Sequence, residues 1–154
     1  MHKDFDEFLK LLNCHKVKYV IVGGYSLSAY LIPRATKDLD ILIERTDTNA
    51  QRIIAVFGEF GFTAHNLTPG DILCPGILIQ LGRAPVRIDI LTSITGVEWS
   101  EIWANRKKGF FGKQRIPTHF IGLDQLIENK TATGRDQDML DAKKLKQLKN
   151  GGAS

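Results

Sequence analysis

Phe5, Phe8, Leu9 and Leu12 recur at the i, i+3, i+4, i+7 spacing of a helix with one apolar face, which predicts a first helix over about Asp4 to His15. Tyr19-Val20-Ile21-Val22 is a short, β-branched apolar run ended by Gly23-Gly24 and reads as a buried strand. A second helix is predicted from Tyr25 to about Leu31, with Pro33 as its stop. Asp38 to Ile43 then alternates as a strand does, with Leu39, Ile41 and Ile43 on one face and two acids on the other. Ala50, Ile53, Ile54 and Phe57 return to helical spacing, with Thr48 and Gln51 set as a capping box and Gly61 as the terminator.

In the second half, strands Ile77 to Leu81 and Val86 to Leu91 flank Gly82-Arg83-Ala84-Pro85, whose Gly and Pro suit a hairpin turn. Glu98 to Asn105 is predicted as a short helix with Trp99 and Trp103 on one side, and Ile116 to Ile121 as a further strand. Leu123 to Thr131 and Asp136 to Lys149 read as a terminal helical pair, the second with Met139, Ala142, Leu145 and Leu148 as a buried seam. Gly151-Gly152-Ala153-Ser154 reads as a frayed tail. These elements imply an α+β class, a mixed β-sheet with helices packed against it and a C-terminal helical pair. The length of 154 residues suits one domain, with a core over about 17–92 and a helical part over about 97–149.

Composition narrows the function classes. With 43% hydrophobic and 25% charged residues the chain matches an ordinary globular protein, which excludes disordered and fibrous architectures. The net charge of +4 favours anionic partners but falls far short of a dedicated nucleic-acid-binding stripe. Cys14 and Cys74 lie sixty residues apart with no Cys-x-x-Cys partner, so they read as reduced thiols rather than as a zinc site or a disulfide. The N-terminal residues do not resemble a secretory signal, and no apolar run approaches the roughly 20 residues that cross a bilayer. A cytoplasmic protein without membrane association is the expectation.

The chemistry centres on Asp38-Leu39-Asp40. At i and i+2 of a strand, two carboxylates point to the same face about 7 Å apart. At an effective dielectric near 20 they repel by roughly 2–3 kcal/mol, so a cation between them is expected. Mg²⁺ fits, because it binds carboxylate oxygens and leaves room for substrate phosphates. Asp89, between Ile88 and Ile90 on another predicted strand, would complete a three-acid site if that strand lies beside the first. Taken alone, an Asp-x-Asp pair also suits a solvated edge strand or turn. Gly23-Gly24, between a strand and a short helix, changes the weighting, since bare backbone amides there can hold phosphate oxygens, and Ser26 adds a hydroxyl.

The run Ile21-Val22-Gly23-Gly24-Tyr25-Ser26, followed by Arg34-Ala35-Thr36-Lys37-Asp38-Leu39-Asp40-Ile41, resembles the signature of the minimal nucleotidyltransferases of the polymerase-beta-like superfamily. With Lys130, Ala132, Arg135, Asp138 and Asp141 further on, the pattern is similar to the nucleotidyltransferase-like proteins of bacterial abortive-infection toxin systems. The resemblance covers Val17 to Leu91 well and the C-terminal helices loosely, and Tyr25 departs from it where family members carry a small residue. It implies Asp38, Asp40 and Asp89 as catalytic ligands of two Mg²⁺ ions. Gly23, Gly24, Ser26, Arg34, Lys37 and Lys130 are then the nucleotide-binding candidates. The reaction implied is transfer of a nucleoside monophosphate from a nucleoside triphosphate such as ATP to an acceptor hydroxyl on RNA, protein or a small molecule. A partner protein of a toxin–antitoxin pair is a further implication.

Several residues admit two readings. Arg34 and Lys37 suit phosphate contacts or surface ion pairs equally, and Lys130 and Arg135 also suit ordinary helix charges. Lys107, Lys108, Phe110, Phe111, Lys113 and Arg115 interleave base with aromatic as an RNA surface does, although a strand with one solvated face accounts for them better. His15, His65 and His119 have no companions at ligand spacing, and Asp71 is the next acid if Asp89 is not the third ligand. The rival to the enzyme is a catalytically decayed binding module of the same fold, an antitoxin or adaptor. The presence of all three acids favours the enzyme.

Overall fold

Four consecutive apolar residues leave Tyr19–Val22 no face for solvent, so this strand has to run between two helical layers. The computed structural model describes residues 3–36, 38–62, 67–83 and 86–152. In chain order these form α1 (Lys3–Cys14), β1 (Tyr19–Val22), α2 (Gly23–Ala29), β2 (Asp38–Ile43), α3 (Asp47–Phe60), α4 (Pro69–Leu73) and β3 (Leu78–Arg83). They continue with β4 (Val86–Leu91), α5 (Trp99–Ala104), β5 (Lys107–Phe111), β6 (Ile116–Phe120), α6 (Leu123–Thr133) and α7 (Asp136–Gly152). The strands make one six-stranded sheet in the order β3-β4-β2-β1-β6-β5. β1 is antiparallel to β2 and parallel to β6, β2 is parallel to β4, and the outer pairs β3/β4 and β5/β6 are antiparallel.

One face of the sheet packs Tyr19, Ile21, Leu39, Ile41, Ile43, Ile88 and Ile90 against Phe5, Phe8, Leu9 and Leu12 of α1, Ile53, Val56 and Phe57 of α3, and Ile72 of α4. Each such side chain contributes roughly 1.5–3 kcal/mol on leaving water. This face fixes the register of β2, because a slip of one residue would turn Leu39, Ile41 and Ile43 outward and push Asp38 and Asp40 into the apolar layer. On the other face Val20, Val22 and Leu42 meet Leu27, Ile102, Leu126 and Leu145 from α2, α5, α6 and α7. By strand alternation, Asp38 and Asp40 share this second face with Leu42.

The α+β class and the mixed sheet agree with the pattern of the sequence, and the differences are local. α2 begins at Gly23 rather than Tyr25, so the two glycines form its first turn instead of preceding it. α3 is capped by Thr46, whose side chain accepts from the Asn49 amide at 3.2 Å, and not by Thr48 with Gln51. The capping box belongs to α4, which the apolar pattern does not announce: Thr68 and Asp71 exchange side-chain and backbone hydrogen bonds there. β3 runs on through Gly82 and Arg83, and Ala84-Pro85 lies outside the described residues. α7 extends to Gly152, past the expected start of the tail.

The seam of α7 is also rotated. Ala142 and Leu145 are buried, but Met139 and Leu148 are 45% and 40% exposed. Asp138 and Asp141 point inward instead, so the buried positions 138, 141, 142 and 145 repeat the i, i+3, i+4, i+7 spacing one residue earlier.

Candidate active site

The adjacent parallel strands β2 and β4 bring the acids together. In the β2/β4 register Asp40 lies directly opposite Asp89, and Asp38 lies opposite Arg87. All four side chains share the sheet face away from α1 and α3. Asp89 is buried, at 9% exposure, and its Oδ1 has no hydrogen-bond donor. Asp40 and Asp89 stand within hydrogen-bond reach of each other. Burial first, then the charges of Asp89 and Asp38, push the Asp40 carboxyl up to about 7, against a smaller opposing pull from Lys130. Burial also raises Asp89, with Arg87 opposing it.

Gly23 closes this site from β1. Its φ of +70° is left-handed, and a Cβ built on it would fall 2.1 Å from Oδ2 of Asp40. Only glycine lets the start of α2 pass this close to the carboxyl. No side chain caps α2, which leaves the amides of its first turn free of a cap bond. A Cβ on Gly24 would meet the Thr36 side chain at 2.9 Å, so Gly24 gives passage to the loop that leads into β2.

From Gly23 and Asp40 a cavity of about 270 Å³ extends past Ser93 and Asn129 to Lys130, Thr133, Arg135 and Asp138. Its far wall is an ionic cluster. Lys130 Nζ lies 3.2 Å from Asp138 and 3.3 Å from the fully buried Asp141. Asp138 also accepts from Thr133 and Arg135 at 2.7 Å, and Asp141 accepts from Gln137 and Arg34. Burial would raise the Asp138 carboxyl, but the hydrogen bonds from Thr133, Arg135 and Lys130 outweigh it and hold the group below its ordinary value.

The expected site residues therefore divide. Asp38, Asp40 and Asp89 share one sheet face, with Gly23 against Asp40 and Lys130 across the cavity. Ser26 is fully buried and its hydroxyl donates to the Gly23 carbonyl, so as placed it supports the turn and does not reach the cavity. Arg34 is an ion-pair residue tied to Asp141. Lys37 lies outside the described residues, as does His65. Asp71 is held in the cap of α4. Tyr25 packs its ring on Phe5 and Phe111, which is how the loop accommodates a bulky residue. The basic, aromatic strip is the edge strand β5 and the turn after it, with Phe111 buried and Phe110 57% exposed under the Arg115 guanidinium.

Arg87 was not among the candidates. It donates to Asp38 Oδ2 at 3.0 Å, and its Nε stands 3.7 Å from Asp89 Oδ1. The signal was present in the alternation of β4, where position 87 must share a face with position 89. Among the described residues no three acidic, imidazole or thiol groups are arranged as a ready-made metal cage. Asp40 and Asp89 form a pair, and Asp38 is engaged by Arg87.

The strand order, with the acids on the adjacent parallel strands β2 and β4, gives an α+β fold built on a mixed six-stranded sheet. A solved structure with this fold is that of a "putative nucleotidyltransferase" from Thermotoga maritima, with a TM-score of 0.57 and 16% sequence identity over 96% of this chain and 91% of that one. At that identity the likeness is one of fold. No known protein family and no curated protein matches the chain by sequence. Among the described residues no helix is long and apolar enough to cross a membrane.

Proposed function

We propose that this protein is a metal-dependent nucleotidyltransferase that moves a nucleoside monophosphate from a nucleoside triphosphate to an acceptor hydroxyl. The observation that carries the reading is the pair Asp40 and Asp89, opposite each other on adjacent strands, with Gly23 against Asp40 and a cavity leading to Lys130.

The residues present fit a divalent ion. Asp89 Oδ1 is a buried oxygen without a donor, and Asp40 lies directly opposite Asp89 with Asp38 two residues along the same face. Asp40 and Asp89 would hold the metal with Asp38 as the third ligand. Two Mg²⁺ ions would supply charge to activate the attacking hydroxyl and to stabilise the departing pyrophosphate. The amides at Gly23 and Gly24 and the ammonium of Lys130 bind and orient the triphosphate. The acceptor oxygen bonds to the α-phosphorus as the bond from that phosphorus to the bridging oxygen of pyrophosphate breaks, and a carboxylate of the cluster takes the acceptor's proton. Gln80 and Leu78 of β3 continue the face of Asp89 and are both exposed, so an acceptor can reach the acids across them.

The test is to incubate the protein with each labelled ribonucleoside triphosphate, Mg²⁺ and RNA, protein or small-molecule acceptors. Label transfer with pyrophosphate release is expected, and Asp40→Asn should reduce it at least a hundredfold, as loss of a metal ligand does. No transfer to any acceptor from folded protein would favour the decayed binding module.

A further inference from the structure

The guanidinium of Arg87 stands between two of the three acids. It bridges Asp38 and Asp89, the two carboxylates that flank Asp40 on this face, at 3.0 and 3.7 Å. Its Nε is buried without a hydrogen-bond partner, so the contact with Asp89 is electrostatic and leaves both Nε and Asp89 Oδ1 unsatisfied. A permanent structural salt bridge would satisfy these atoms, because an unpaired buried polar group costs about 1–3 kcal/mol. The surroundings also leave the side chain room to move. Arg87 is 36% exposed, and its neighbour across the β3/β4 ladder is Gly82, which has no side chain to hold it.

Resting on the proposed metal site, we propose that Arg87 is a built-in counter-ion that stands in for the divalent metal and is displaced when the metal binds. In the metal-free protein the guanidinium offsets the repulsion among Asp38, Asp40 and Asp89 and keeps the strands paired. With a metal held by the acids, the ion pair to Asp38 would open and the guanidinium would be released toward solvent, to which Arg87 is already 36% exposed. Metal binding therefore works against Arg87, which weakens the apparent affinity and ties loading of the site to release of a cation beside the substrate cavity. Arg87 is a positioning residue in this scheme, acting on the ligand Asp38 and not on the reacting atoms.

The experiment measures Mn²⁺ binding by calorimetry and by the loss of the free-ion paramagnetic resonance signal, together with thermal unfolding in chelator. The proteins are wild type, Arg87→Gln, Arg87→Lys and Asp38→Asn/Asp40→Asn. Removal of one part-exposed ion pair corresponds to a few-fold change, so Arg87→Gln should bind Mn²⁺ about three- to tenfold more tightly than wild type. It should also unfold at a lower temperature in chelator and recover when Mn²⁺ is added. Arg87→Lys keeps the charge and should bind Mn²⁺ less tightly than Arg87→Gln; if the neutral variant is unfolded in chelator, Mn²⁺ should restore its fold, and failure of Mn²⁺ to do so overturns the proposal. Equal or weaker Mn²⁺ affinity in folded Arg87→Gln, or in Arg87→Lys an affinity above that of Arg87→Gln, overturns the proposal while leaving the metal site intact. Unchanged binding in Asp38→Asn/Asp40→Asn would instead overturn the metal site itself, and the Arg87 proposal with it.

Discussion

At the residue scale, the account turns on the protonation of Asp40. Its carboxyl is raised to about 7 by burial and by Asp89 and Asp38, so the folded protein holds a proton there that the unfolded chain releases near 4. A group whose folded value is raised contributes stability that is complete below the unfolded value and is lost as pH rises through the folded one. Metal-free protein should therefore melt at a lower temperature at pH 8 than at pH 5, and Asp40→Asn should remove most of that slope. Mg²⁺ should raise the melting temperature more at pH 8 than at pH 6, since it competes with the proton for the same oxygens. A flat profile in the wild type, or an equal slope in Asp40→Asn, would contradict this. The opposite trend belongs to Asp138, which is held low and whose contribution is lost on acidification. Gly24→Val would collide with Thr36 at 2.9 Å and disturb the loop, so a loss of nucleotide affinity in that variant would not isolate a phosphate contact.

At the scale of elements, α7 is held to the site by charge as much as by apolar contact. Asp141 is fully buried among Lys130 of α6, Arg34 of the loop before β2, and Gln137. Removing one partner of a buried ionic group leaves the others uncompensated, which costs about 3 kcal/mol or more. Asp141→Ala should lose about that much stability by chemical denaturation, and a loss below about 1 kcal/mol would show that the cluster is not holding the helix. The same cluster explains where the sequence misleads. A Met139, Ala142, Leu145, Leu148 seam assumes that apolar residues take the inward face, but Lys130 of α6 and Arg34 of the loop before β2 draw Asp138 and Asp141 inward and turn the helix by one position. Strands carry their pattern more plainly. β2 and β4 each show apolar alternation with acids between, and their pairing follows once both must bury the same face. α4 was not legible, because five residues with one buried side chain show no periodicity. Arg87 was legible by parity with Asp89 but was not singled out, because an arginine on a strand usually marks solvent.

At the scale of the whole molecule, a rigid apolar slab under one face of the sheet holds the acid face open on the other. Phe8, Leu39, Ile41 and Ile53 are fully buried beneath β2, so the strand that carries Asp38 and Asp40 is anchored from behind. The front is divided between the cavity that runs to Lys130 and the exposed surface of β3. Another cavity, of about 250 Å³, lies toward Glu44, Arg45 and Trp99 at the far end of β2 and is a competing place for a nucleotide. The measurement that separates them is a crystal structure with Mg²⁺ or Mn²⁺ and a non-hydrolysable nucleoside triphosphate analogue. The account predicts metal on Asp40 and Asp89, phosphates between Gly23-Gly24 and Lys130, and the Arg87 guanidinium released from Asp38. Triphosphate bound beside Glu44 and Trp99, or metal bound away from the carboxylate pair, would contradict it.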